Sequence, residues 1–488
     1  MRTLDVAVIL VYLALTMSMG FWFMRRNRDA DAYFRGGGRL PWWVVSLSIY
    51  ATMFSALTFI SGPAMSYAED LSYFVISFGI PIMALVVVRW YLPLFRRLNL
   101  TSAYEYLEVR FNLPCRLFAS AAFVLFMVAR SGIVAYLPAL AISAVTGVDI
   151  NLSILCVMLV TIVYCTVGGV AAVVWCDFFQ TLLLFGSTVL LLGWAVLGTD
   201  GGFSGFVATG TEHHKFRLLN FALDWSEPCF WVVFVGGLVA NLATYTSDQS
   251  VVQRYMTTSD EKGAAKSIYV NGVLSIVSAF VFGVIGVAIW TYYRSRAGAL
   301  PPGTKPDAVI PIFIARELPN GLSGAVFAAI AAATMSTLSA NFNSAASAIT
   351  TDFYRRLKFQ GRGTDADPRR LLRCGKISTV AMGVVATLFA LWLANADIRN
   401  VYIEFQRFLG ILTGGLGSLF FMGFFMKRVN GFGATCGLVA NYAVCVTLDL
   451  VPWAGKPHMF LYGFFGMATC LIVAPVASLL KGIKIETH

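Results

Sequence analysis

Apolar residues occur along this chain in long runs that are separated by short polar stretches. About twenty apolar residues span a bilayer as a helix. Thirteen runs approach that length, at roughly residues 4–24, 42–66, 72–95, 117–145, 150–168, 178–198, 228–252, 268–293, 320–350, 375–395, 402–426, 430–451 and 459–480. The pattern predicts an all-α, polytopic membrane protein with about 13 transmembrane helices.

Two of these runs lose their apolar character halfway. The run from Pro41 to Tyr67 is interrupted midway by five small, polar or helix-breaking residues: Ser55, Thr58, Ser61, Gly62 and Pro63. The seventh run ends in the polar stretch NLATYTSDQSVVQRY, from Asn241 to Tyr255. Backbone polar groups in lipid must be satisfied internally, so both interruptions predict helices that unwind beside a cavity.

The two interrupted runs lie five spans apart, as expected for an inverted repeat of two five-helix units. We therefore predict a first repeat at residues 41–198 and a second at 226–426. Residues 1–40 then form an additional N-terminal helix and a cytoplasmic loop. Residues 199–225 form an extracellular loop, and residues 427–488 form two peripheral C-terminal helices.

Composition supports a membrane protein, because 58% of the residues are hydrophobic and only 12% are charged, with a mean hydropathy of +0.74. Basic residues concentrate in every second loop, for example Arg254, Lys262 and Lys266 after the seventh run. Basic loops face the cytoplasm. We therefore predict a multi-pass protein of the cell membrane, with its N-terminus outside and its C-terminus in the cytoplasm. Topology explains the net charge of +11, so no nucleic-acid partner is expected. No obligate protein partner is evident from the sequence either.

The residue types that support metal or nucleotide chemistry do not occur in functional patterns. Nine cysteines stand singly and four histidines lie in loops or at the end of the chain. Neither type has metal-ligand spacing, and no P-loop pattern is present. We therefore expect no enzyme activity and no cofactor.

One charged residue, Arg130, lies deep within the run from Leu117 to Val145. A cation at that depth costs on the order of 2.5–3.5 kcal/mol on insertion scales. Arg130 is therefore expected either to face a polar cavity or to pair with an acidic residue of another helix.

The stretch from Phe327 to Tyr354 carries an unusual density of polar side chains for a span. Six of nine consecutive positions are polar, namely Ser336, Thr337, Ser339, Asn341, Asn343 and Ser344. Small residues and hydroxyls also join membrane helices, but packing alone needs fewer polar groups. We therefore favour a binding role.

The interrupted first helix and the motifs TSAYEYLEVRF (Thr101 to Phe111) and TVGGVAAVVWCDFFQ (Thr166 to Gln180) resemble the sodium:solute symporter family. The resemblance covers essentially the whole chain. Members are secondary transporters with the inverted-repeat leucine-transporter fold, so this fold is expected here.

The resemblance implies where sodium, the coupling ion, binds. The site shared by the family would use the backbone carbonyls of Ala51, Phe54 and Ala333 and the hydroxyls of Ser336 and Thr337. A second site, present in some members, would use Asp177 and Ser339. Because Ala340 replaces a hydroxyl ligand of that second site, we expect a single sodium ion.

The resemblance also implies substrate contacts. The segment FMVARSGIVAYLPALAI resembles the third core helix of bacterial sialic acid symporters, in which an arginine at the position of Arg130 holds the substrate carboxylate. An arginine binds a carboxylate through two parallel hydrogen bonds. Met53 departs from that pocket, since it replaces a hydroxyl residue. The other candidate substrate contacts are Ser55, Thr58, Tyr73, Ser77, which replaces a glutamine, and Gln406, which matches a sugar-binding glutamine of galactose symporters.

These observations predict sodium-coupled uptake of a small organic anion. The first candidate substrate is sialic acid or a related sugar acid. TYTSDQSVVQRY, from Thr244 to Tyr255, also resembles the branch that carries monocarboxylates, vitamins and iodide. A monocarboxylate or a neutral sugar is therefore the alternative substrate. The rival class is an ion channel, which predicts current without saturable uphill uptake.

Overall fold

The computed structural model describes residues 3–24, 33–34, 36–98, 100–296, 298–301, 303–358, 367–396, 401–452 and 455–480. The longer helices are α1 (Thr3–Met24), α2 (Trp42–Met53), α3 (Ala56–Ala68), α4 (Ser72–Leu98), α5 (Glu105–Arg110), α6 (Leu113–Thr146), α7 (Ile150–Gly198), α8 (Gly202–Glu212), α9 (Phe230–Thr246), α10 (Gln249–Tyr255), α11 (Glu261–Arg294), α12 (Pro306–Glu317), α13 (Leu322–Ala348), α14 (Pro368–Asn395), α15 (Val401–Phe425), α16 (Gly431–Leu450) and α17 (Tyr462–Leu480).

Within the described residues, nine helices are long and apolar enough to cross a membrane, and two bent helix pairs add two further spans. The first pair is α2 with α3, which meet at 61°, and the second is α9 with α10, which meet at 56°. The second bend lies in the polar stretch predicted from the sequence, and the first lies at Ser55, but Gly62 and Pro63, which were also expected to break the helix, lie inside α3. The repeat boundaries at 41–198 and 226–426 stay a prediction.

The helix α7 is 49 residues long, which exceeds what one span needs, and it divides at Gly169. There the backbone adopts φ 62° and ψ −174°, a conformation that residues with a Cβ rarely adopt. Glycine therefore lets two successive spans join without a loop. With this division and with α1, each of the thirteen predicted spans corresponds to a helix or a helix pair.

The helix α13 lies at the centre of the fold, where it packs against α1, α6, α7 and α14. Alanine and serine dominate its sequence, so neighbouring backbones approach closely. Its first turn is capped from α1, because Asp5 accepts hydrogen bonds from the backbone N–H groups of Gly321 (2.7 Å) and Gly324 (3.0 Å). The polar residues of α13 are consequently buried among helices and do not face lipid.

The segment between α8 and α9 is fastened to the end of α3. Lys215 donates hydrogen bonds to the backbone carbonyls of Tyr67 (2.8 Å), Ala68 (3.3 Å) and Glu69 (2.6 Å). A lysine placed here complements the carbonyl groups that a helix leaves unpaired at its C-terminus. Burial lowers the pKa of Lys215, while the nearby acidic residues oppose that shift.

Candidate sodium and substrate site

The site is built around the break between α2 and α3. Phe54 (φ −96°, ψ 94°) and Ser55 (φ −98°, ψ 173°) are extended. The hydrogen-bond ladder of α2 ends where Phe54 N–H donates to Tyr50 O at 2.8 Å, and that of α3 begins where Phe59 N–H donates to Ser55 O at 3.0 Å. Two side chains from other helices approach the carbonyls at the end of α2, since Thr337 lies beside Ala51 O and Arg130 donates to Thr52 O.

The distance between Thr337 and Ala51 is compatible with a cation between them. Their oxygens, Oγ1 and the backbone O, lie 3.5 Å apart, which is long for a hydrogen bond between a hydroxyl and a carbonyl. Hard cations such as calcium take oxygen ligands at about 2.3–2.6 Å, so two ligands at right angles are about 3.3–3.7 Å apart. Ala333 and Ser336, the other candidates on α13, lie within one turn of Thr337.

Ser336 also belongs to a second polar cluster. Its Oγ donates to Asp177 Oδ1 at 2.6 Å, while Ser48 Oγ donates to Oδ2 of the same carboxylate at 2.6 Å. Ser339 donates to the backbone carbonyl of Ser336 at 2.8 Å. The structure thus brings Asp177 and Ser339, the candidates for a second sodium site, next to the first site through the shared Ser336.

The Asp177 carboxylate is paired with Arg254. The two groups lie 3.3 Å apart, and both side chains are fully buried. Arg254 Nε also donates to Ser48 at 3.0 Å. The sequence predicts Arg254 in a basic cytoplasmic loop, and that interpretation is wrong, because Arg254 lies in the helix α10 and its side chain is fully buried.

Arg130 forms an ion pair with Asp248. Its Nη1 donates to Asp248 Oδ2 at 3.2 Å, and its Nη2 donates to the backbone carbonyl of Thr52 at 2.9 Å. Asp248 lies in the bend between α9 and α10, where its Oδ1 accepts from the N–H (2.8 Å) and hydroxyl (2.5 Å) of Ser250. Arg130 therefore links both helix breaks.

Arg130 and Asp248 also line a cavity of about 140 Å³ between α2, α6, α9 and α15. Thr244 and Ser247 add hydroxyls, and the remaining walls are mainly apolar. These walls consist of Met53, Phe123, Phe126, Ala243, Phe405, Leu409 and Leu416. One end of the cavity therefore offers charges and hydroxyls, and the rest suits an apolar group.

The other predicted substrate contacts lie outside the described lining of this cavity. Ser55 is buried at the break itself, and Thr58 is half-buried on α3. Ser77 is buried on α4, and Tyr73 packs edge-on against Phe460, with ring centroids 6.1 Å apart. Gln406 is buried next to the cavity residue Phe405. Their roles stay predictions.

The sequence predicts an acidic partner as one option for Arg130, but it identifies neither that partner nor the pair between Asp177 and Arg254. Asp248 and Arg254 both belong to the polar stretch at the end of the seventh run, whose density of polar groups was the available signal. Their partners, Arg130 and Asp177, are 118 and 77 positions away. Nothing local in the sequence indicates such pairings.

The architecture and the site define a membrane protein of the class that moves small solutes through a central binding site between two broken helices, with the leucine-transporter-type fold. The family model of the sodium:solute symporter family matches residues 33–440. This chain belongs to the sodium:solute symporter family, whose members are transporters and not enzymes.

Individual proteins agree with this assignment. The chain is 34% identical over 476 residues to a sodium/sialic acid symporter of Proteus mirabilis, covering 97% of this chain and 95% of that protein. It is 27% identical over 459 residues to human sodium-coupled monocarboxylate transporter 1, covering 91% and 73%. A solved structure of a Na⁺-coupled sialic acid symporter in a substrate-bound outward-open state superposes with a TM-score of 0.90 at 32% identity, covering 98% of both chains.

Proposed function

We propose that this protein couples inward sodium movement to the uptake of a carboxylate-bearing solute, with sialic acid or a related sugar acid as the first candidate. The observation that carries the proposal is the position of Arg130. Its guanidinium touches the break at Thr52 and also lines the cavity. The similarity to the symporter of Proteus mirabilis supports sialic acid as the candidate acid.

Sodium binds between the break and α13 in this proposal. Its ligands are the carbonyls of Ala51, Phe54 and Ala333 and the hydroxyls of Ser336 and Thr337. The separation of 3.5 Å between Thr337 and Ala51 O supports this assignment. All five groups are neutral, which allows the ion to be released again. Asp177 and Ser339 form the weaker candidate site, because Arg254 already compensates the carboxylate.

Coupling follows from the shared helix break. A sodium ion that joins α13 to the end of α2 stabilises the arrangement in which the carbonyl of Thr52 holds Arg130. The solute carboxylate then competes with Asp248 for the guanidinium. Each ligand thus favours the same conformation, and by linkage each raises the affinity of the other.

A monocarboxylate is the second candidate, and the cavity itself favours it. Its volume of about 140 Å³ is well below the roughly 300–1,000 Å³ of pockets that enclose drug-sized ligands. The walls away from Arg130 are aromatic and aliphatic, for example Phe126 and Leu409. A small acid with an apolar tail fits such a cavity without polar groups being left unpaired.

We infer that residues 41–198 and 226–426 are inverted repeats. We also infer that the N-terminus lies outside the cell and the C-terminus in the cytoplasm. The similar bends of 61° and 56° support the repeats. The orientation depends on basic residues of which several lie outside the described residues, including Arg25, Arg26, Arg28, Lys481 and Lys484.

The test measures uptake by proteoliposomes under an inward sodium gradient. The candidate solutes are sialic acid, short monocarboxylates and galactose. In a parallel experiment, choline replaces sodium. Uptake of an acid that stops when choline replaces sodium supports the proposal. Uptake that is unchanged in choline contradicts it. Ion current without uphill solute uptake would instead identify a channel.

A further inference from the structure

The segment 101–104, which connects α4 to α5, lies against the second helix break. The hydroxyl of Tyr104 donates a hydrogen bond to the backbone carbonyl of Ser247 at 2.7 Å. Ser247 follows the last residue of α9 and precedes Asp248, the residue before α10. A helix leaves its last carbonyls without partners inside the helix. The Tyr104 hydroxyl therefore supplies such a partner from a distant part of the chain.

Gln249 joins the same segment from the other side of the bend. Its Nε2 donates to the backbone carbonyl of Thr101, and its Oε1 accepts from the backbone N–H of Ala103, both at 2.8 Å. The Gln249 side chain is fully buried, so bulk water does not compete for these hydrogen bonds. The backbone next to Asp248 is consequently held on both sides.

The segment 101–104 is itself anchored to other helices. The hydroxyl of Ser102 donates to the buried carboxylate of Asp352 at 2.8 Å. The same carboxylate forms an ion pair of 2.7 Å with Arg116 of α6. Asp352 lies in the π-helical segment Ile349–Arg355 that follows α13. The second break therefore rests on a support that α6 and the end of α13 hold in place.

The ion pair at this break is weaker than its groups allow. Within the described residues, a single hydrogen bond of 3.2 Å joins Arg130 to Asp248, whereas arginine and a carboxylate often form two parallel hydrogen bonds. The other carboxylate oxygen of Asp248 accepts from the N–H and the hydroxyl of Ser250 instead. If the bend could move, Asp248 would be free to close on Arg130 with both oxygens.

We propose that Tyr104 and Gln249 are positioning residues that hold the second break so that Asp248 leaves most of the Arg130 guanidinium available to the solute carboxylate. Neither residue belongs to the described lining of the central cavity, so both act through Asp248. This role rests on the proposed function, in which Arg130 binds the carboxylate. It gives the motif TSAYEYLEVRF a part in solute affinity.

The experiment measures sodium-driven uptake of sialic acid, and of lactate in parallel, by proteoliposomes. Tyr104→Phe removes one hydroxyl and keeps the ring, which packs against Phe123, and Gln249→Leu removes two hydrogen bonds. In each variant the solute concentration for half-maximal uptake rises about fivefold, as expected for the loss of a hydrogen bond. The maximal rate per folded molecule and the sodium concentration for half-maximal thermal stabilisation without solute each change less than about twofold.

Tyr33→Phe is the matched control. Tyr33 is also buried, and its hydroxyl donates to the backbone carbonyl of Cys165 at 3.3 Å in α7, away from both breaks. The control should leave the half-maximal solute concentration at the wild-type value. If it raises that concentration as much as Tyr104→Phe does, the effect is a general loss of stability and the positioning role is overturned.

A double-variant comparison tests whether the effect passes through Asp248. In the Asp248→Asn background, Tyr104→Phe should leave the half-maximal solute concentration unchanged, because effects that act through one residue are not additive. A full fivefold effect in that background would overturn the role, and so would wild-type solute affinity in both Tyr104→Phe and Gln249→Leu.

A structure of the Gln249→Leu variant tests the geometry without any solute. We expect a second hydrogen bond between Asp248 and Arg130, and a pair that keeps its single hydrogen bond overturns the role. If this variant does not fold, the structure of Tyr104→Phe decides. If the wild-type protein takes up neither acid in sodium, the proposed function is wrong, and the variant structure alone decides whether the support restrains Asp248.

Discussion

The guanidinium of Arg130 and the carboxylate of Asp248 meet between the two helix breaks, with Nη1 and Oδ2 3.2 Å apart. The pair lines the central cavity, so a solute carboxylate that reaches Arg130 also approaches a fixed negative charge. Either the solute displaces Asp248 from Arg130, or it uses the remaining donors of the guanidinium. We therefore propose that this pair influences which solutes bind.

We expect Arg130→Ala to lower the free energy of unfolding. We also expect it to abolish the thermal stabilisation that a carboxylic acid solute gives the protein. Removal of one partner of a buried ion pair costs about 3–5 kcal/mol, because it leaves the other charge uncompensated. The double variant Arg130→Met with Asp248→Asn regains much of that stability but not the response to acids. Thermal unfolding with and without each acid measures both effects. An acid response that survives in the double variant would assign the carboxylate to another residue.

Thr337→Val should weaken sodium binding, because it replaces a hydroxyl ligand with a methyl group of similar volume. The sodium concentration for half-maximal stabilisation is expected to rise about tenfold or more. Thr334→Val is the control, since Thr334 is also buried on α13 but donates only to its own helix, at Ile330 O. If the control shifts sodium dependence as much as Thr337→Val, then Thr337 is not a specific ligand.

The Asp177–Arg254 pair is expected to act as a structural unit that sodium binding adjusts. Asp177→Asn and Arg254→Met should each cost about 3–5 kcal/mol of stability, whereas the double variant costs much less than the sum. Chemical denaturation of all four proteins gives the coupling energy. A coupling energy near zero would mean that the two buried charges do not compensate each other.

Met53→Thr should broaden the solutes accepted by the cavity. Met53 lies in the cavity wall, and a hydroxyl at this position would give a polyol group a hydrogen-bond partner in addition to Thr244 and Ser247. We expect binding of sugar acids to improve relative to that of monocarboxylates, as measured by competition for uptake. A parallel change for both classes would show that Met53 only fills space.

Gly375→Ala should destabilise the protein by about 1–3 kcal/mol, because its methyl group would overlap the Phe34 ring. The smaller side chain in Phe34→Leu should restore stability in the Gly375→Ala background. Melting temperatures of the two single variants and the double variant test this compensation. If the double variant is no more stable than Gly375→Ala, the ring of Phe34 is not what limits the space at this position.

Much of the fold can be predicted from the sequence, because a polar group inside the membrane must face a cavity or pair with another polar group. Ser55 predicts the break in the first core helix, and the polar stretch around Asp248 predicts another, whereas Gly62 and Pro63 lie inside α3 without breaking it. Both breaks occur as bends of similar size. Arg130 was expected to face either a cavity or an acid, and it does both.

The remaining features depend on contacts between distant parts of the chain. A basic residue after an apolar run usually marks the membrane surface, so the sequence alone favours a loop for Arg254. Its buried position is instead matched by Asp177, which lies 77 positions away in the chain. The aromatic pair Tyr33–Phe34 is surrounded by glycine and charged residues, which are typical of a loop. Its burial depends on the space left beside Gly375, which only the packed structure reveals.

Lys215 holds the segment between α8 and α9 on the last carbonyls of α3. Residues 199–225 must therefore follow α3 whenever that half of the broken helix tilts. No cysteine occurs in this segment, so once the accessible native cysteines such as Cys156 are replaced, an engineered thiol near Thr209 would carry a fluorescent label outside the lining of the central cavity. Such a label would report each opening and closing step optically, without altering any group that binds the cargo.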